Sequence, residues 1–443
     1  MSADVRDFLR RGAAVPEPIW GFESVWRRSR RRRTRSIGLR AVAMVVTLTA
    51  VAVGVTSITS ADRGGDRNNP VAPAAQASWE SIPASPINGL ISDFSVWTGE
   101  EMLVWGDTQG ETDASARSAQ GAAFDTQTDT WRSLSDGPLE YADARTAVWT
   151  GQEVLIWGGE IGDGSHRRPD NGAAYDPRTD SWRELPRSPI WSLASHSAVW
   201  TGTEMIVWGG VDMQDKGAAY NPRSDSWRTI APGPIEGRHR HAAVWTGTEM
   251  IVWGGADEQG RALATGAAYD PVADTWRELP EAPLSERESV ASTWTGEEMI
   301  LWGGQGRMKE SDEVESGGGG VAEVPAATPG TWTWADEWFE GAAYNPESDD
   351  WRKLARAPVD PTGGHDHVTW TGEMMVLMGA GSEMAAYQPD DDEWVRLPDA
   401  PMRVVSSPHL LRANGDVILW GSVWREPGDK QLSNGGGVLH LGD

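Results

Sequence analysis

The phrase AVWTGTEMIVWGG occupies residues 198–210 and recurs unchanged at 243–255. Related copies are SVWTGEEMLVWGD at 95–107, AVWTGQEVLIWGG at 147–159, STWTGEEMILWGG at 292–304 and VTWTGEMMVLMGA at 368–380, with a weaker HLLRANGDVILWG at 409–421. Each reads as an apolar strand, a Thr-Gly turn and a second apolar strand. The common spacing is roughly 45–52 residues, the size of one supersecondary unit that cannot bury its faces alone. A second phrase follows each copy except the last: an aromatic residue, then Trp seven positions on. The pairs are Phe124/Trp131, Tyr175/Trp182, Tyr220/Trp227, Tyr269/Trp276, Tyr344/Trp351 and Tyr387/Trp394.

Strands such as MIVW at 205–208 are apolar on both faces, so each must be covered on both sides. Strands such as TWREL at 275–279 carry charge and suit an outer edge. This pattern predicts an all-β fold, a radial stack of seven four-stranded antiparallel blades. The last unit, from Val404, offers a third strand at Gly436–Leu441 and no fourth. SWESIP, with Trp79, matches SWRELP at 181–186, so the last blade is expected to take its outer strand from residues 78–82. Such closure needs only backbone hydrogen bonds, consistent with a chain that holds no Cys. The 26 Trp then divide into 19 at three repeat positions and seven elsewhere, among them Trp191 and Trp424. The repeat Trp are read as fillers of the wedge between blades, each with an N–H that needs an acceptor.

The chain resembles the kelch-repeat propellers. The resemblance rests on a Gly-Gly pair after the second strand, then Tyr-Asp/Asn-Pro, then Trp. The matching residues are Gly158/Gly159 with Tyr175 and Trp182, Gly209/Gly210 with Tyr220 and Trp227, Gly254/Gly255 with Tyr269 and Trp276, and Gly303/Gly304 with Tyr344 and Trp351. The first unit departs with Gly106-Asp107 and Phe124, the sixth with Gly379-Ala380, and the seventh with Gly421-Ser422 and Leu439. The resemblance covers about 78–441 and implies a propeller like the central domain of galactose oxidase. It implies little about function, because one scaffold hosts many roles.

The charge is uneven. Residues 1–40 hold eleven Arg and four acids, a sum of +7, and 41–58 hold no charge, so the remainder of a chain at −26 carries −33. That acidic body disfavours nucleic acid as a partner. Residues 41–58 (AVAMVVTLTAVAVGVTSI) are long enough for one membrane span. Their Arg-rich flank predicts a cytoplasmic N-terminus with the propeller outside, a single-pass signal-anchor at the cell membrane of a bacterium. A cleaved signal peptide is the rival reading, and a buried helix the third. The expected organisation is a basic tail at 1–40, a transmembrane helix at 41–58 touching lipid, a linker at 59–77 and the propeller at 78–443. Residues 1–36 are also a candidate docking tail for a cytosolic partner.

In a propeller, the loops entering the innermost strands gather at one mouth of the central channel. Four positions before the Trp of each first strand stand Asp93, Arg145, His196, His241, Val290 and Asp366, with Arg238, His239, Arg240, Glu288, His365 and His367 nearby. The candidate catalytic set is Arg145, Arg238 or Arg240 as a carboxylate clamp with His241 or Glu288 exchanging a proton. Asp93, His196, His239, His365, Asp366 and His367 are candidate ligand or partner contacts. His239-x-His241 and His365-x-His367 invite a metal reading. The competing reading is a His packed and hydrogen-bonded near the strand start. Asp390, Asp391 and Asp392 suggest Ca²⁺ or, more plainly, a solvated turn; otherwise no cofactor is expected. An insertion at 305–340 carries Trp332, Trp334 and Trp338, candidate partner contacts.

Three function classes follow. The first is a non-catalytic module that binds a protein or envelope polymer outside the membrane. The second is an extracytoplasmic carbohydrate-active enzyme of epimerase or lyase type. The third is a purely structural envelope protein. Zero Cys excludes the Cys-crosslinked Tyr radical of copper oxidases, and the Trp phrases do not match sialidase boxes.

Overall fold

Each two-strand phrase forms the inner half of a four-stranded antiparallel sheet. The computed structural model describes residues 77–442 apart from 88–89, 109–118, 140–141, 161–171, 192, 212–214, 307–338, 360–366, 380, 403 and 424–432. The sheets are seven blades spanning 90–133, 143–184, 197–229, 242–278, 291–353, 368–397 and 404–440, each strand pairing with its sequence neighbour. Blade 7 takes its fourth strand, Ser78–Ser81, from the other end of the domain. Trp79 pairs with Leu439 and Glu80 with Val438, as the repeat arithmetic requires. First strands of neighbouring blades touch around the axis in an unbroken ring, blade 1 against blade 7.

Seven buried clusters correspond to the seven junctions between blades. In blade 3, Met205 and Val207 face blade 2, while Ile206 and Trp208 face blade 4. The period-2 alternation therefore feeds two cores rather than one core and solvent. The outer-strand Trp close each junction in the same way. Every indole N–H donates to a carbonyl just past the outer strand of the preceding blade. The pairs are Trp131 to Pro83, Trp182 to Ser135, Trp227 to Pro186, Trp276 to Ala231, Trp351 to Pro280, Trp394 to Ala355 and Trp79 to Pro398, at 2.7–3.0 Å.

A polar clasp repeats on the face that carries the Thr-Gly turns. In blade 4, Thr246 Oγ1 accepts the Glu249 N–H at 2.9 Å, and the left-handed Gly247 lets the chain reverse. That turn holds Glu249 for a charge-assisted bond with Arg277 of the outer strand at 2.8 Å. Arg277 also donates to the Tyr344 hydroxyl of blade 5 at 2.8 Å, and Tyr344 donates to Asp349 at 2.5 Å. The same three-part link joins Arg132 to Tyr175, Arg183 to Tyr220, Arg228 to Tyr269 and Arg352 to Tyr387. Its Asp (Asp180, Asp225, Asp274, Asp349 or Asp392) sits at φ 47–55°, a left-handed turn position that Asp tolerates.

Among the described residues no helix is long and apolar enough to cross a membrane. The tail, the expected span at 41–58 and the linker to residue 76 lie outside the described residues.

Candidate functional site at the channel mouth

The loops entering the first strands and those leaving the second strands meet at one end of the channel. Arg145, His196 and His241 stand at equivalent places there, and all three are buried. Each follows a residue in the left-handed region, Ala144, Ser195 or Arg240, and Ser289 continues the series before Val290. These left-handed residues are linked from blade to blade: Arg240 N–H donates to Ser195 O at 3.0 Å, and Ser289 N–H to Arg240 O at 2.9 Å.

The two histidines serve the scaffold. His241 Nε2 lies 2.8 Å from Ser197 Oγ in the preceding blade, and its ring packs edge-on against Trp208. Gly209, at φ 70°, is the seat for that ring: a Cβ there would lie 2.6 Å from His241 Cε1 and 2.6 Å from Arg238 O. His196 repeats the arrangement with Thr146 Oγ1 at 2.7 Å and the Trp157 ring. Burial pushes the His196 imidazole down to about 4, against a smaller opposing effect of the Leu193 backbone, so the ring is neutral at pH 7. The second Gly donates across the same junction in three of the pairs: Gly159 N–H to Leu193 O at 2.8 Å, Gly210 N–H to Arg238 O at 2.8 Å and Gly255 N–H to Arg287 O at 2.9 Å. The Gly-Gly motif thus docks blades 2, 3 and 4 each on the entry loop of the next.

Arg238 is fully buried and bonded to the chain rather than open to a substrate. Its Nη1 donates to Gly254 O at 2.9 Å and Thr265 O at 2.7 Å, its Nη2 to Thr265 Oγ1 at 2.9 Å, and its Nε to Glu236 O at 3.0 Å. Burial pushes this guanidinium down to about 10, which leaves it charged at neutral pH. Arg287, which the sequence reading passed over, does the same one blade on, with Nη1 to Gly303 O at 3.1 Å and to Glu340 O at 3.4 Å. The available signal was its place three residues before Val290, matching Arg238 before His241. Each buried Arg pins the base of a loop between second and third strands. In blade 5 that base is the root of the long insertion, whose returning Phe339 ring lies 4.4 Å from the Arg356 guanidinium carbon.

The structure does bring together His239, Arg240 and Glu288. Arg240 Nη1 lies 3.4 Å from Glu288 Oε2, with the Arg side chain half exposed. His239 is half-buried, its backbone paired with Ala256, as that of Glu288 is with Gln305. Burial lowers the His239 imidazole, the Arg240 charge lowers it further, and Glu288 and Asp257 oppose both. Of the two readings of His239-x-His241, His241 follows the packed and hydrogen-bonded one. His241 precedes the first strand of blade 4 (Ala242–Trp245), the left-handed Arg240 breaks the alternation, and the ring is held between Ser197 and Gly209. Among the described residues no three His, Asp or Glu side chains cluster as metal ligands.

Of the other candidates, Asp93 lies in the first strand of blade 1, where pairing shifts between Ser92 and Phe94. Arg145 pairs with Gly158 in blade 2. His367 is half-buried just before Val368. Asp392 is the acceptor of a clasp, its Oδ1 taking Tyr387 O–H at 2.6 Å and Ala355 N–H at 2.9 Å. His365, Asp366, Trp332, Trp334, Trp338 and Trp424 lie outside the described residues. Trp191, on the loop into blade 3, is 72% exposed.

The family description "KLHDC2/KLHL20/DRC7 Kelch-repeats domain" matches residues 195–407, from the entry into blade 3 to the start of blade 7. No curated protein matches the chain. Among solved structures it is similar to the one described as "Structure of YjhT", at 12% identity and a TM-score of 0.46, covering 80% of this chain and 95% of that one.

Proposed function

We propose that this chain, which carries a kelch-repeat domain, is a non-catalytic binding module tethered to the cell membrane, its propeller outside and its channel mouth turned to a protein or envelope polymer. The observation that carries the reading is the division of labour at the mouth. Arg238, His196 and His241 are occupied by backbone carbonyls and neighbouring hydroxyls, whereas Arg240 is half exposed beside Glu288 and Trp191, on the loop into blade 3, is exposed. Exposed Trp and Arg are the side-chain types that dominate binding surfaces. Of the clamp and proton carriers that an epimerase or lyase would draw on, Arg238 and His241 are bonded within the scaffold, and Arg240 is paired with Glu288. The tether rests on the uncharged stretch 41–58 and its Arg-rich flank.

The test is affinity capture from a solubilised membrane fraction with the full-length protein, Arg240→Glu and Trp191→Ala. A specific partner retained by the first and lost by either variant, with unchanged circular dichroism, supports the reading. Equal capture by all three removes the mouth as the binding surface. Protease shaving of intact cells checks the orientation: digestion of the propeller is expected, and its protection overturns the outward placement.

A further inference from the structure

Blade 7 differs from blades 1 to 5 at two facing positions, one in the outer strand and one in the third, and the two changes fit an acid that the second strand keeps. Where the outer strand of blades 1 to 5 has Arg after Trp, the closing strand has Glu80. The acid at the head of the second strand is kept, as Asp416 in place of Glu249 and its equivalents. At the third-strand position held by Asp176, Asn221 and Asp270 stands His440, opposite Ser78. Without the imidazole, Glu80 and Asp416 would be two acids with no cation between them.

His440 places Nδ1 2.9 Å from Asp416 Oδ2 and Nε2 3.3 Å from Glu80 Oε2. A neutral imidazole has one N–H and one lone pair, so it satisfies one carboxylate and turns its lone pair on the other. The doubly protonated ring donates to both. We propose that His440 is a pH-operated staple: protonated, it fastens the closing strand Ser78–Ser81 into blade 7, and deprotonated, it loosens that strand alone among the seven outer strands. Blades 1 to 5 make the equivalent link with Arg, whose charge does not change in this range.

Asp416 from the second strand and Glu80 from the outer strand are the charged groups that act on the ring. Burial pulls it down, but bonds and charges of the two carboxylates together hold it above the usual 6.5. A group raised on folding stabilises fully below its unfolded value and ceases to do so as pH rises through its folded value. The staple is therefore closed below pH 6.5 and opens on the alkaline side.

Hydrogen exchange of the full-length protein, corrected for intrinsic rates, tests this at about pH 5.5 and about pH 8.5, either side of the imidazole range. Amides of 78–82 and 437–440 should open about two- to fivefold more often at the higher pH, the scale of one exposed ion pair. Those of Ser226–Thr229 in blade 3 serve as the unchanging control. His440→Gln should open equally at both pH values, and Glu80→Arg, which restores the Arg–acid pair with Asp416, should stay closed at both. Equal opening of the wild type at the two pH values, or a pH dependence that survives in His440→Gln, overturns the proposal.

Discussion

Blades 5 and 6 are joined differently from blades 6 and 7. At the first junction Arg352 reaches Glu298 at 2.7 Å and the Tyr387 hydroxyl at 2.8 Å, and Trp394 packs against Trp302. At the second, the Tyr position is Leu439, the second-strand Trp position is Met378, and the Arg position is Val395, with the neighbouring Arg396 bonded to Glu383 at 2.6 Å. What remains there of the repeat is the apolar cluster and the Trp79 bond to Pro398 at 2.9 Å. The next junction, between blades 7 and 1, also lacks the clasp, with Glu80 and Phe124 in place of Arg and Tyr, but keeps a close Trp131–Trp420 pair at 4.8 Å. Apolar packing is thus common to all seven junctions, and the polar clasp belongs to the five formed by contiguous chain. The blade that must recruit a strand from elsewhere in the sequence is held by fewer directional bonds.

The largest effect that would break this comparison is removal of an outer-strand Trp. Trp394→Ala is expected to cost about 3–5 kcal/mol, and replacing Trp79, which is partly buried against the apolar cluster of blades 6 and 7, with Ala roughly 2 kcal/mol. Denaturant unfolding measures both. Equal losses would mean that the seam is as tightly packed as the clasped junctions.

Histidines separate the two regions next, because they respond to acid with opposite sign. His196, in the clasped part, is lowered by burial to about 4 from 6.5, so the unfolded chain takes up the proton first. The stability it contributes is present above pH 6.5 and is lost as pH falls toward 4, about 3 kcal/mol in all at 1.36 kcal/mol per unit. His196→Gln should therefore lose about 3 kcal/mol less than wild type between about pH 7 and about pH 4. Identical slopes would show that His196 is not buried as a neutral ring. His440, at the seam, gains with acid.

The fold was legible because repetition multiplies a weak signal. A single apolar strand is ambiguous, but seven phrases with Gly and Trp at fixed offsets admit one arrangement, and the unpaired Trp79 located the closure. The clasp was half legible: Tyr, Arg and Asp were visible at fixed spacing, yet that Arg277 reaches Tyr344 across 67 residues depends on blade geometry. The mouth was least legible. Arg238 and His241 vary against a constant background, which reads as specialisation. Their partners, Thr265 and Ser197, are ordinary loop and strand residues that become informative only when the blades are set side by side.

The next effect is smaller and concerns one hydroxyl. Tyr387→Phe deletes the bond to Asp392 and the acceptor for Arg352, and should cost about 1–2 kcal/mol. An unchanged stability would demote the clasp to decoration on a packed junction.

The smallest effect asks whether the clasp can be built where it is missing. Phe124 occupies the Tyr position of blade 1, paired with Trp131, and Asp129, five residues on, has the left-handed turn of the clasp acids at φ 55°. Phe124→Tyr alone gains an acceptor in Asp129 but no cation, because Glu80 stands at the Arg position. Glu80→Arg alone gains Asp416 but no hydroxyl. Together they should show a favourable coupling of about 0.5–1 kcal/mol in a double-mutant cycle, the range of partly exposed charged hydrogen bonds. Coupling of that size would show that the two substitutions at the seam belong together, and that the seam lacks a clasp through its residues rather than its geometry. Strict additivity would place the difference in how the closing strand is set against blade 1 rather than in its length, since the clasped outer strands are also four residues long.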